Sequence, residues 1–342
     1  MISMLERAHT IADEVLFPAS LDVDAEGAIP SSHFDLLAKQ GFYGLARAPE
    51  PGGSEIDFPS LMNIVETLSG GCLTTTFTWL QHHALVLGLT STTNVNLREK
   101  CLNPAIRGEL RSGVALAGAI PRPPRLWVTA TEGGWLVSGD APFVSGWGIV
   151  DVLLIAARDT AGGPEGTIVS GVIEAQIGRG IAAEELPLVV AVGSNTVRLH
   201  FEDYFLPLEQ VIGEASHPNF LARQRIGSRL AGCLAMGVAG RCIRMIAEAG
   251  QPEIAELFRG QQDAIRIGLD GGLSNPESMP AARAAASELA YRAGGTLMAV
   301  VGSSGIFARQ HAQRLVREAM FTLVAASRPE IKHHLLDLFS QP

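Results

Sequence analysis

Positive charge, paired cysteines and long apolar runs are all scarce in this chain of 342 residues. Lys and Arg number 26 against 35 Asp and Glu, a formal net charge of −9. No basic stripe is available to release counterions from a nucleic-acid backbone, which argues against nucleic acid as a partner. The four cysteines, Cys72, Cys101, Cys233 and Cys242, form no CxxC pair and no dense framework. They read as reduced core thiols of a cytoplasmic protein, and no His/Cys/Asp/Glu cluster has metal-ligand spacing. No apolar run reaches the roughly 18 residues of a membrane span. The opening Met1-Ile-Ser-Met-Leu-Glu-Arg7 lacks the basic-then-apolar pattern of a secretion signal. Lysine occurs only at 39, 100 and 332, so arginine supplies nearly all the basic charge, as in a GC-rich genome.

What is present is apolar substance. With 47% apolar residues the chain is no disordered tail, and its length suits two or three domains at roughly 100–200 residues each. Its texture changes twice, which predicts boundaries at 1–112, 113–213 and 214–342. In the first stretch apolar positions recur at helical spacing in Phe34-Leu36-Leu37 and Leu61-Met62-Ile64-Val65-Leu68. Pro30-Ser31-Ser32 opens one of these helices, and Pro49-Glu-Pro-Gly-Gly53 is a turn cluster between helices. In the second stretch, Trp127-Val-Thr-Ala-Thr131 and Trp135-Leu-Val-Ser138 flank Glu132-Gly-Gly134, a hairpin signal. Val152 to Ala157, Thr167 to Ile173 and Asn195 to Phe201 continue as short strands, predicting an antiparallel sandwich or barrel. The third stretch is alanine-rich and helical, with helices expected over 217–249, 252–270, 278–300 and 303–326. Ser327-Arg-Pro-Glu330 reads as a capping box before a last helix, Ile331 to Phe339. The fold class is α+β, in the order helices, sheet, helices.

Five segments in this order resemble the acyl-CoA dehydrogenase superfamily of flavoproteins. They are Phe17-Pro-Ala…Ile29-Pro30…Pro51-Gly-Gly53, Gly134-Trp-Leu-Val-Ser-Gly139…Phe143-Val-Ser-Gly146, Gly193-Ser-Asn-Thr196…Val211-Ile-Gly213, Arg229-Leu-Ala-Gly-Cys-Leu-Ala-Met-Gly237, and Gly302-Ser-Ser-Gly305…Gln313-Arg-Leu-Val-Arg-Glu-Ala319. The resemblance implies FAD between the middle β-domain and the C-terminal helices. It implies an acyl thioester as substrate, an electron-transfer or reductase partner, and a homodimer or homotetramer. The flavin would supply the redox chemistry and the protein its position and electrostatics.

By the same resemblance, Phe143 would cover the flavin face and the Ser145 hydroxyl would donate near its reducible nitrogen. Gly302 and Gly305 would let a cofactor approach the backbone. The family's acidic loop is replaced here by Ala117-Gly-Ala-Ile-Pro-Arg-Pro-Pro-Arg125, whose Arg122 and Arg125 are candidates for a phosphate of FAD or of a CoA thioester. Its Arg-x-x-Phe-Gly segment is replaced by a shortened stretch from Gly250 to Gln262. Dehydrogenation of a thioester needs a carboxylate at the α-proton. The two positions where the family keeps that glutamate fall on Ser228 and Ala326, and neither takes a proton. His83, in Trp79-Leu-Gln-His-His83, is a weak catalytic candidate through hydrogen bonding to a flavin oxygen species. Two alternatives stand beside the dehydrogenase: a two-component monooxygenase using reduced flavin, FMN included, and a flavin-free structural subunit.

Overall fold

The computed structural model describes residues 2–46, 56–161, 163 and 165–340, so the turn cluster at 49–53 lies outside the described residues. Among the described residues, seven α-helices come first: α1 (Met4–Ile11), α2 (Phe17–Glu26), α3 (Ser31–Lys39), α4 (Phe58–Gly71), α5 (Leu73–Leu80), α6 (His82–Ser91) and α7 (Val95–Arg107). Their starts follow local chemistry. The Ser3 hydroxyl accepts from the Glu6 N–H while the Glu6 carboxylate accepts from the Ser3 N–H. Asp57 and Asn94 cap α4 and α7 through their side-chain oxygens. A π-helical turn at Ala12–Leu16 joins α1 to α2.

Eight strands follow: β1 (Ser112–Ala115), β2 (Leu126–Thr131), β3 (Gly134–Val144), β4 (Val152–Asp159), β5 (Thr167–Glu174), β6 (Ile181–Glu185), β7 (Val197–Pro207) and β8 (Val211–Ser216). The expected hairpin is β2–β3, with Thr131 opposite Gly134 across the two-residue turn. The sheet runs β6-β7-β3-β2-β4-β5-β8, with β1 also on β4. It is mixed, which corrects the all-antiparallel expectation: β1 and β2 both run parallel to β4. β1 occupies Val152 to Ile155 of that strand and β2 occupies Arg158 and Asp159. The loop between them must therefore arch over the gap, a placement that strand periodicity alone does not encode. One sheet face closes on itself around Leu126, Val137, Leu153, Ile155 and Leu199. Val152 and Leu154, on the other face of β4, pack against Leu85, Val86 and Leu89 of α6.

The remaining helices are α8 (His217–Glu248), α9 (Pro252–Ser274), α10 (Met279–Val301), α11 (His311–Val324) and α12 (Pro329–Ser340). The helix expected over 303–326 is corrected. Gly302, at φ 73° and ψ −154°, leaves the helical region. A short 3-10 turn covers Gly302–Ile306, and α11 begins only at His311. The start of the last helix also moves. The Lys332 N–H donates to the Arg328 carbonyl, so Arg328 rather than Ser327 occupies the N-cap.

α8 contains an 18-residue window of mean hydropathy 1.5, enough by composition for a membrane span. Yet 72% of that window is buried, so its apolar surface is taken up by α4, α9, α10 and α11. One core cluster runs from Leu16, Leu68 and Trp79 to Leu234, Val238, Leu289 and Leu315, tying the first helices to the last. Each such side chain contributes about 1.5–3 kcal/mol.

The α4–α8 contact is backbone on backbone. A Cβ at Gly237 would stand 2.2 Å from the Glu66 carbonyl oxygen, whereas one at Gly240 would meet the flexible end of Gln262 at 3.1 Å. Gly237→Ala is therefore expected to lose about 1–3 kcal/mol by overpacking. Gly240→Ala should be neutral or gain from helix propensity. Urea unfolding of the two variants beside the parent checks this.

Candidate functional site

β3 ends in a bulge. Ala141 faces Leu199 and Val144 faces Val197, so β3 carries one residue more than its partner. The extra turn places Phe143 at φ 55° and leaves it 67% exposed at the rim of the sheet. A large ring held out of the core in left-handed backbone is strained, and bulges commonly re-aim a side chain in this way.

Ser145 follows at 2% exposure. Its hydroxyl lies 2.6 Å from that of Thr196, which lies 2.8 Å from that of Ser194. Three hydroxyls carry three protons and two hydrogen bonds use two, so one proton of the set stays available to a further acceptor. The backbone clamps the same place: the Gly146 N–H donates to the Ser194 carbonyl at 2.7 Å and the Trp147 N–H to the Asn195 carbonyl at 3.2 Å. An exposed aromatic residue two positions from a buried hydroxyl with a spare proton suits a flat, acceptor-bearing ring system. Thr196 and Ser194 were not singled out individually from sequence, though they belong to the Gly193-Ser-Asn-Thr196 segment.

Gly302 and Gly305 stand elsewhere, at the α10–α11 junction, where the turn packs on those two helices. A Cβ on Gly302 would meet nothing within 4 Å, so its outer side is open, while one on Gly305 would meet the Met298 sulfur at 3.2 Å. Arg317 of α11 donates to both carboxylate oxygens of Asp24 and to the Val189 carbonyl, joining α2, α11 and the segment after β6.

The structure brings together the two sites without a base. The Ser228 hydroxyl donates to the Gln224 carbonyl at 3.3 Å, and Arg328, two residues beyond Ala326, donates to the same oxygen at 3.0 Å. Ala326 itself has φ 51°. A guanidinium thus stands near the positions where the resemblance places a carboxylate. Next to Ser228, Arg229 is 1% exposed; its Nε donates to Asp270 at 2.7 Å, and Glu66 stands 3.7 Å from its Nη1.

His83 is 4% exposed, with Nε2 3.1 Å from the Phe42 carbonyl and Nδ1 3.3 Å from that of Leu80. Burial pushes its pKa down to about 4, so it is neutral at pH 7 and engaged within the helices. His82 beside it receives the Ser112 N–H and donates to the Ala105 carbonyl, and burial pushes it down to about 3. In the proline-rich loop, Arg125 is exposed, whereas Arg122 lies 3.1 Å from both the Glu165 carboxylate and Nδ1 of His217. A groove of about 580 Å³ between α9 and α10, lined by Ile265, Gly268, Asn275 and Ala282 among others, includes none of these residues.

The family model "Acyl-CoA dehydrogenase, N-terminal domain" matches residues 2–109. The mitochondrial short-chain specific acyl-CoA dehydrogenase of Homo sapiens is 22% identical over 96% of this chain and 87% of its own length. A glutaryl-coenzyme A dehydrogenase in complex with glutaryl-CoA superposes with a TM-score of 0.85 at 17% identity, covering 98% of this chain and 94% of that one. PigA with FAD and proline superposes with a TM-score of 0.80 at 19% identity, covering 98% and 96%.

His82 and His83, two of the five histidines whose pKa burial lowers, make stability depend on pH. An unfolded chain takes up protons on both near pH 6.5, while the folded chain resists until about pH 3–4. Their contribution is complete above pH 6.5 and is lost as pH falls towards 4. The thermal midpoint should fall over that interval. Doubly substituting His82→Gln and His83→Gln should flatten the slope, whatever it does to the midpoint at pH 7.

Proposed function

We propose that this chain, which belongs to the acyl-CoA dehydrogenase superfamily, is a flavin-dependent oxidoreductase acting on the CH–CH bond of an acyl thioester. The observation that carries the reading is the bulged end of β3, where the exposed Phe143 stands two residues before the buried Ser145 and its hydroxyl chain through Thr196 and Ser194. Bound FAD would supply the hydride-accepting chemistry for the substrate's CH–CH bond. Phe143 would cover the ring system and limit access of water from the rim. Ser145 would direct the uncommitted proton of its hydroxyl chain towards a ring acceptor; one well-made hydrogen bond of this kind contributes about 0.5–1.5 kcal/mol. Because the hydroxyl is nearly buried, its direction is fixed by Thr196 rather than by solvent, which is the preorganisation such a bond needs. The open side of Gly302 would admit the remote part of a dinucleotide against the backbone, in the same subunit or in a second copy.

The proton-abstracting group is the point at which a second reading enters. Ser228 and Ala326 supply no carboxylate, and Arg328 places positive charge beside Ser228. A reaction on this scaffold that needs no base there, such as oxygen insertion with reduced flavin delivered by a reductase, fits that observation. Purified protein incubated with FAD, an electron-accepting dye and a series of acyl-CoA thioesters decides between them. The dehydrogenase reading predicts thioester-dependent bleaching of the dye, slowed about three- to tenfold by Ser145→Ala. The second reading predicts no bleaching with any thioester, together with oxygen uptake once reduced flavin is supplied.

A further inference from the structure

Arg328 is a cation with little to pair with. It is the N-cap of α12, directly after the turn that closes α11, and it is half-buried. Its one hydrogen bond among the described residues runs from Nη2 to the Gln224 carbonyl of α8 at 3.0 Å, the oxygen that also receives the Ser228 hydroxyl. No carboxylate of the described residues bonds to it; Glu330, two positions on, is exposed and acts only at a distance. Most of the guanidinium fork is therefore uncommitted, in surroundings that have removed part of its water.

The chain around it is held firmly. Arg283, buried beneath the turn, donates from Nη2 to the Thr322 carbonyl at 2.9 Å and to that of Ala325 at 3.3 Å. Ala326 is kept in left-handed backbone at φ 51°, which costs energy in any residue but glycine. The turn is joined to the candidate flavin site through α5. Thr78 of α5 lies against Gly146, next to Ser145, since a Cβ on Gly146 would stand 3.7 Å from the Thr78 methyl. Its neighbour Phe77 packs edge-on to Phe321, in the last turn of α11, with ring centroids 5.0 Å apart. α5 thus links the neighbourhood of the hydroxyl chain to the end of α11, and Arg328 follows that end.

Two observations then call for one explanation: the positions that should carry a base hold Ser228 and Ala326, and an uncommitted guanidinium stands beside Ser228. We infer that the substrate is an α-carboxyacyl thioester and that Arg328 binds and orients its carboxylate. In such a substrate the carboxylate leaves in place of the α-proton. The bond from the α-carbon to the carboxylate breaks, its electron pair becomes the new C=C bond, carbon dioxide departs, and the β-hydrogen leaves as hydride for the oxidised flavin. The negative charge of the substrate passes to the reduced flavin, no proton is released and no base is used. A planar fork suits the orientation of one carboxylate better than the point charge of a lysine. The inference rests on the acyl-thioester reading and names the class of thioester for it.

Calorimetric titration with butanoyl-CoA and with α-carboxybutanoyl-CoA tests it, on protein held with excess FAD reduced by dithionite so that binding is read without turnover. The parent is expected to bind the carboxylated thioester about tenfold more tightly, and Arg328→Gln to remove that preference. Arg328→Lys, which keeps the charge and loses the fork, should retain part of it. The side chain's bond to Gln224 is the one protein hydrogen bond these variants give up, and a thermal melt confirms that they fold. With oxidised FAD, one carbon dioxide should appear per flavin reduced by α-carboxybutanoyl-CoA. Equal affinity of the parent for the two thioesters overturns the inference, as does a preference that survives Arg328→Gln or flavin reduction by the carboxylated thioester without carbon dioxide. Each of those results leaves the acyl-thioester reading standing. If neither thioester binds, that reading itself falls and the inference falls with it.

Discussion

The close approach of α4 and α8 is the constraint on which the arrangement depends. Gly70 and Gly237 let the two backbones meet, and the contact is then locked by polar groups reaching across it. The Ser69 hydroxyl donates to the Leu234 carbonyl at 2.9 Å and Arg241 donates to the Gly70 carbonyl at 2.6 Å. Arg241 also lies 4.0 Å over the Phe17 ring and bonds Asp13, which the π-helical turn presents to it. The first helices are thereby fixed to the last ones, although more than 150 residues separate Ser69 from Leu234. The sheet occupies the space that remains, seated on α6 through Val152 and Leu154 and on α8 through Ala156 and Ile168.

Such a seam brings charges into the interior, and they come in matched sets. Glu66 sits between Arg229 and Arg266, and Arg314 and Glu318 pair at 2.6 Å with both side chains almost wholly buried. Burial raises the Glu318 pKa and Arg314 opposes it. Buried pairs of this type add little net stability over an apolar replacement, but breaking one costs several kcal/mol. They therefore act mainly to penalise any other register of these helices. Arg158 and Arg283 depart from this pattern, being buried cations held by carbonyls, and for Arg283 a hydroxyl, rather than by a carboxylate.

Much of the architecture was legible in the sequence because it is written in local periodicity. The β2–β3 hairpin follows from Glu132-Gly133 between alternating apolar residues, and α8 from its alanine-rich composition. Strand direction was not legible, because alternation is identical in parallel and antiparallel ladders; the parallel pairing of β1 and β2 with β4 depends on a loop whose path is set by Arg158. A break at 301–302 was legible, but not its extension to 310, because Ile306 to Gln310 contain neither glycine nor proline. At the candidate site, Phe143 and Ser145 stood out by resemblance, but their partners did not, since Ser194 and Thr196 approach only through strand pairing fifty residues away. His82 and His83 looked chemically available in sequence, and only the carbonyls around them show that they are structural.

The central claim is that the aromatic rim and hydroxyl chain at the end of β3 receive a flavin. The most direct measurement is the near-ultraviolet and visible absorbance of the purified protein, before and after titration with FAD, for the parent and for Phe143→Ala. The account predicts a flavin spectrum that saturates with added FAD, and weaker saturation in the variant. A colourless protein whose spectrum with FAD is the sum of the separate components would contradict it.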